Sequence, residues 1–266
     1  MNMEQKLKDK AMAACFDFEE KNGVYYVTVK GLPQEILGME SGSLHNLWQF
    51  LSRQDKNPAD VLLFQLNNGL LGPTKFNQMM AEYGICSADG LQWNKEKIEK
   101  YRYYFLREVH TTHRIVRRFV TIDSFVVFSL SGEMLLSLFG GALACDYRIV
   151  ADDFVLINQI NRSVFSPIGG LPWFLTRILG RTGAWKLLRE KRKITAEEAL
   201  ELGLVDCVVP HDRIKAESQR IAEEFAMMPW GCRVGLKRAM VATGETLDRY
   251  LEVEDEAFCI SMNKVG

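Results

Sequence analysis

His110 and His113 stand three residues apart in a stretch whose apolar residues recur at helical spacing, which puts both imidazoles on one helix face. That arrangement suits a metal ion, but no third ligand accompanies it, so the expectation is a helix-surface pair and no metal. Gly140-Gly141 and Gly169-Gly170 match neither a phosphate-cradling Gly-x-x-x-x-Gly-Lys nor a dinucleotide Gly-x-Gly-x-x-Gly, and read as places of close packing. Cys15, Cys86, Cys145, Cys207, Cys232 and Cys259 lie far apart, with no Cys-x-x-Cys pair. Scattered thiols of this kind point to a reducing compartment, here the cytoplasm, and to buried unpaired side chains.

The elements that must position such groups form one chain of 266 residues, enough to bury a large core without disulfide or metal support. Lys plus Arg (33) nearly balances Asp plus Glu (34), so no basic excess argues for nucleic acid and no acidic tail for a solvating segment. The first ten residues are charged and lack an apolar core, so no secretory signal is expected. Phe125 to Cys145 approaches membrane-spanning length, but it carries Glu133 near its middle and glycines at 132, 140 and 141. A charge at the bilayer centre costs about 2.5–3.5 kcal/mol, so a buried strand, a turn and a buried helix are expected instead.

Periodicity predicts a hairpin over Cys15–Lys30 turning at Asn22-Gly23, a helix over Ser43–Arg53, and a buried strand Val61–Leu66 ended by Asn67-Asn68-Gly69. A polar connection from Met79 to Lys95 leads to a long amphipathic helix from Lys95 to Arg118. Phe125–Leu130 reads as a strand and Leu135–Ala144 as a helix apolar nearly all round, hence central. Tyr147–Ala151 and Phe154–Ile157 are strand-like; Leu171–Leu188, Ala196–Leu202, Asp212–Met227 and Leu247–Ser261 are helical. Thr195 with Glu198 three residues on forms a capping-box pattern. Strands separated by helices indicate an α/β fold with crossover connections.

The run Ile194-Thr-Ala-Glu-Glu-Ala-Leu-Glu-Leu-Gly-Leu-Val-Asp-Cys-Val-Val-Pro210 resembles a signature of the crotonase (enoyl-CoA hydratase/isomerase) superfamily. Gly132, Cys145-Asp146, Pro167 and Gly180 fall at that family's spacing without a gap, and a looser match reaches back toward Phe16. The resemblance implies a crotonase-like ββα spiral over residues 1–210, with a helical oligomerisation region over 211–266 in the same fold unit. It also implies a homotrimer or hexamer. The substrate would be an acyl thioester carrying coenzyme A or pantetheine, with no separate cofactor. Two backbone N–H groups would face the thioester oxygen, where charge develops. By this register one donor is Ser137, in Leu135-Leu136-Ser137-Leu138, with Leu136 and Phe139 beside it at the pocket. The other is Thr74; a one-residue slip would put Pro73 there, which has no N–H.

Hydratases of the family use two carboxylates, and this chain lacks both. Gly140 occupies the first position, six residues before Asp146, and Ile160 the second, fourteen after it. Gln159 is adjacent, but an amide is no base. Lys75 replaces the family aspartate and reads either as a cation for a substrate carboxylate or as a solvated loop charge. Glu133 either faces the pocket or caps backbone N–H groups, and Asp152-Asp153 resembles a family turn. Pro167 completes the pocket candidates. The family also has a further helix beyond the position of Phe258, so an incomplete adenine pocket or a carrier-bound acyl group is expected. Three readings follow. One is an oxyanion-hole enzyme needing no glutamate pair, such as a decarboxylase. Another is a non-catalytic thioester binder or structural subunit. The third is a hydrolase or isomerase using other residues. Hydration by the family mechanism is not expected from any of them.

Overall fold

Asn22 and Gly23 both take left-handed backbone angles, with φ of 54° and 78°, which is what a two-residue hairpin turn demands. They join β1 (Phe16–Lys21) to β2 (Val24–Val29) antiparallel, as the Asn-Gly pair predicts. The computed structural model describes residues 15–30, 43–54, 58–66, 70–160, 163–190, 192–241 and 247–263. The expected stop at Asn67-Asn68-Gly69 lies outside them.

From β2 the sheet grows in parallel through β3 (Val61–Leu66), β4 (Phe125–Leu130), β6 (Tyr147–Ala151) and β9 (Cys207–Val209), in the order β1-β2-β3-β4-β6-β9. All six residues of β3 are buried, because parallel strands are covered on both faces. Alternation sorts their side chains. Leu62, Phe64 and Val126 pack with Ile115, Val116 and Phe119 of α4 (Arg102–Thr121) and with α1 (Ser43–Arg53). Val61, Leu63, Val127 and Ile149 pack with Ile214, Ile221 and Ala222 of α8 (Ile214–Ala226) on the other face. Buried Gln65 is satisfied by Thr28 and Ser218, at 3.2 and 3.3 Å. A smaller sheet, β5-β7-β8, comprises Glu133–Leu135, Val155–Ile157 and Lys193–Thr195.

Several elements depart from the sequence pattern. A helix not foreseen in the pattern, α2 (Pro73–Glu82), runs into the start of the polar connection expected from Met79 to Lys95, with Pro73 at its first position and Met79 and Met80 buried. The long helix from Lys95 is broken at Tyr101 (φ −99°, ψ 8°) into α3 (Lys95–Lys100) and α4. The expected helix over Leu135–Ala144 is instead the end of β5, a 3₁₀ turn over Leu136–Leu138, and one short helix, α5 (Gly140–Leu143). Leu135 stays extended because it pairs opposite Ile157 and donates its N–H to the Leu71 carbonyl at 2.9 Å. The C-terminal third carries α6 (Leu171–Arg189), kinked at Gly180, then α7 (Ala196–Glu201), capped by the Thr195 hydroxyl. After α8 come α9 (Trp230–Val241), whose two glycines hide its pattern, and α10 (Leu247–Asn263). No described helix is long and apolar enough to cross a membrane.

A buried ion pair ties α9 to the sheet. Lys237 Nζ, almost fully buried, donates to Asp146 Oδ2 at 2.6 Å and to the Ser124 carbonyl at 2.9 Å. The same carboxylate oxygen accepts the Val126 N–H at 2.8 Å. Burial pushes the Asp146 carboxyl up and the Lys237 amine down, each opposed by the partner's charge. Lys237→Met leaves the largely buried Asp146 carboxylate without its ammonium partner, and denaturant unfolding should show a loss of about 3–5 kcal/mol. Asp146→Asn in the same chain should recover part of it. A single variant within about 1 kcal/mol of the parent would contradict this account.

Candidate functional site

Two open helix starts meet beside β5. In α2, Gly72 is the extended N-cap, and the first helical bond runs from Phe76 N–H to the Gly72 carbonyl at 3.1 Å. The N–H group of Thr74 therefore has no acceptor within its helix. In the 3₁₀ turn the Leu136 carbonyl accepts from Phe139, so the Ser137 N–H likewise lies ahead of the N–H groups that pair within the turn. The bond from Leu135 to Leu71 holds the two segments together. Thr74 and Lys75 are exposed and Pro73 half-buried.

Ser137 lines a cavity of about 130 Å³ walled by apolar side chains, among them Phe76 and Met79 of α2, Phe105 of α4 and Phe258 of α10. Phe165 stacks against Phe258 with ring centres 5.3 Å apart and lies 4.8 Å from the Phe105 ring. A second apolar cavity, about 150 Å³, shares Leu44, Thr112, Leu138 and Ile168 with the first.

The remaining candidates scatter. Leu136 and Phe139, expected at the pocket, are fully buried in the main core, because the 3₁₀ turn directs Ser137 and Leu138 to the cavity instead. Glu133 neither faces the cavity nor caps a helix; its carboxylate lies 3.4 Å from Lys193 Nζ across the smaller sheet. Ile160 packs against the main core and donates its N–H to Asn158 Oδ1, while Gln159 and Pro167 are half-buried nearby. Thr74, Pro73 and Lys75 are not among the residues that wall either cavity, although Phe76, one position beyond Lys75, walls the first.

Gly140 is the informative position. A Cβ built there would lie 2.5 Å from the Gly169 carbonyl oxygen and 2.8 Å from that of Ile168. Its place is occupied by backbone, so any side chain is shut out. At Gly141, by contrast, an added Cβ meets nothing within 4 Å.

The histidine pair is not a surface pair. His113 is buried, with Nε2 2.8 Å from Glu254 Oε2 and Nδ1 3.1 Å from Asp255 Oδ1; only His110 is exposed. Glu254 also accepts the Gly170 N–H on both oxygens, at 3.1 and 3.0 Å. This buried carboxylate clamps α10 to α4 and to the start of α6, and so sets Phe258, one helical turn on, into the cavity wall. Among the described residues, no cluster of three or more His, Cys, Asp or Glu could hold a metal ion.

Sequence reading overlooks the carboxylate that lines the first cavity, Glu108. Burial pushes its carboxyl above the usual glutamate range, although Arg107 pulls it the other way. Nothing in its spacing distinguishes it from the other charges of α4.

The family described as enoyl-CoA hydratase/isomerase matches residues 108–264, more than half the chain. Among curated proteins, the chain is 27% identical over 154 residues to mouse mitochondrial enoyl-CoA delta isomerase 1, covering 55% of this chain and 52% of that one. It is 27% identical over 143 residues to the 1,2-epoxyphenylacetyl-CoA isomerase of Escherichia coli (strain K12), covering 53% and 54%. The chain thus spans about half the length of these relatives. The fold is that of enoyl-CoA hydratase structures: TM-score 0.74 at 18% identity for that of Bacillus halodurans, covering 94% of this chain and 96% of that one. For that of Mycobacterium avium subsp. paratuberculosis K-10 the values are 0.71, 19%, and 95% of each chain.

The closed position gives a test that separates a missing group from a missing space. Gly140→Ala should lose about 1–3 kcal/mol in thermal or chemical unfolding, the cost of overpacking, and Gly140→Glu should not create hydratase activity. Gly141→Ala is the control and should be neutral or slightly stabilising, since alanine favours helix. A stable Gly140→Glu variant that hydrates crotonyl-CoA would show that the segment at 168–169 yields.

Proposed function

The chain belongs to the enoyl-CoA hydratase/isomerase family, and from that premise we propose that it acts on an acyl thioester by forming an enolate and moving a double bond, without adding water. The observation that carries this is Ser137: its N–H lacks an intrahelical acceptor, and it lines an apolar cavity next to a sealed Gly140. In the proposed complex the thioester oxygen accepts from Ser137 and from Thr74, and the acyl group occupies the apolar cavities. Charge that develops on oxygen is then met by fixed dipoles, a contribution of roughly 10²–10³-fold for each donor.

Isomerisation is favoured over decarboxylation by the lining itself. Among the described residues no lysine or arginine walls the cavity, whereas Glu108 does. A β-carboxylate would be buried against apolar rings and a second carboxyl group, at a cost that an uncharged enoyl chain escapes. That the relatives include isomerases is in keeping with this reading. Met227, Trp230, Leu236 and Met240 expose large apolar surfaces at the end of α8 and along α9, which supports assembly as a homotrimer or hexamer. The six cysteines form no disulfide, which is in keeping with a cytoplasmic or otherwise reducing compartment.

Purified protein should convert a 3-enoyl-CoA to its conjugated 2-enoyl isomer and leave malonyl-CoA intact. Crotonyl-CoA hydration should lie at least ~10³-fold below that of a working hydratase, since acid–base catalysis contributes about 10²–10⁴-fold. The same preparation should sediment as a trimer or hexamer. Decarboxylation without isomerisation would replace this reading by the decarboxylase one. Ligand-induced thermal stabilisation without any turnover would make the protein a binder.

A further inference from the structure

The first cavity holds three titratable side chains, the phenols of Tyr83 and Tyr104 and the carboxyl of Glu108. Glu108 sits on α4 one helical turn before Thr112, and Thr112 belongs to both cavities. Arg107 Nε donates to Glu108 Oε1 at 2.7 Å, and a terminal guanidinium nitrogen lies 2.6 Å from the same oxygen. Oε2 has no hydrogen-bond partner among the described residues. The side chain is 18% exposed, in a cavity otherwise walled mainly by aromatic and aliphatic groups.

We propose that Glu108 is the acid–base residue of this site, supplied from α4 in place of the carboxylate that the backbone at 168–169 shuts out at Gly140. The inference rests on the isomerase reading and names the group that moves the proton. The carboxylate Oε2 takes a proton from the carbon between the thioester carbonyl and the double bond of a 3-enoyl thioester. The C–H bond breaks, and its electron pair passes into the dienolate, whose oxygen is held by Ser137. The resulting carboxylic acid returns the proton to the far end of the dienolate, the double bond settles next to the carbonyl, and the carboxylate is restored. One group suffices because the same proton is removed and replaced, and no water enters the balance. The raised proton affinity that burial gives Glu108 brings the carboxyl closer to a carbon acid than an exposed glutamate would be. Arg107 holds the side chain in place through Oε1.

The decisive experiment compares parent, Glu108→Gln and Glu108→Asp in two assays. One is 3-enoyl-CoA isomerisation, followed by the conjugated product's absorbance. The other is exchange of α-protons of butyryl-CoA for deuterium in heavy water, followed by mass. Thermal unfolding of each variant, with and without butyryl-CoA, reports folding and binding separately. Glu108→Gln should lose about 10²–10⁴-fold in both assays while still folding and binding, and Glu108→Asp should recover part of the activity. The acid limb of the parent's kcat/KM profile should lie above the ordinary glutamate range, because the base must be unprotonated. A Glu108→Gln variant that isomerises within about threefold of the parent overturns Glu108 and leaves the isomerase reading standing. Proton exchange that depends on Glu108 without isomerisation overturns the isomerase reading and keeps the residue. Should Glu108→Gln misfold, Arg107→Gln, which frees the carboxylate and keeps it, must shift the acid limb; an unchanged limb overturns the proposal.

Discussion

The close approach of Gly140 to the backbone at Ile168 and Gly169 is the constraint on which the rest of the site depends. It holds only because Gly169 and Gly170 adopt left-handed angles, φ 74° and 77°, that other residues rarely take. Gly170 is in turn fixed by Glu254, and Glu254 by His113. One line of contacts thus runs from α4 through α10 to the start of α6 and ends against α5. It shuts the position where the family carries a carboxylate, and it draws Phe165 and Ile168 into the wall of an apolar cavity.

That wall determines which chemistry the site can host. An apolar lining strengthens any dipole aimed at a developing charge and penalises an unpaired ion. Ser137 sits where the first property is useful, and Glu108 is the group on which the second acts. The anchoring of α9 by Lys237 and Asp146 belongs to the same design, because Asp146 also accepts the Val126 N–H and so fixes β4, the strand that leads into Ser137.

Much of the fold is legible in the residues. The hairpin at Asn22-Gly23, the strands at Val61 and Phe125, and the Thr195 cap follow from local chemistry, and local chemistry is what a linear pattern reports. The family register likewise identifies Gly140 and Ile160 as unable to transfer protons. It does not reveal that Gly140 is closed by backbone, because that closure involves residues almost thirty positions away. His113 looks like half of a surface pair since its partner, Glu254, is 141 residues distant. Glu108 is one charge among several on an amphipathic helix, and only the packing of Phe105, Phe165 and Phe258 makes it a cavity residue. The helix expected over Leu135–Ala144 fails for the same reason: a hydrogen bond to Leu71 from across the fold keeps Leu135 extended.

The central claim is that Ser137 receives the thioester oxygen in a cavity whose proton-transfer group comes from α4. A crystal structure with a 3-thia-acyl-CoA, an unreactive mimic of the substrate chain, tests it most directly. The account predicts the thioester oxygen about 2.7–3.1 Å from the amide nitrogens of Ser137 and Thr74, with the acyl chain between Phe105 and Phe258 and its early carbons within reach of Glu108. A thioester bound elsewhere, or seated at Ser137 with its chain directed away from Glu108, would contradict it.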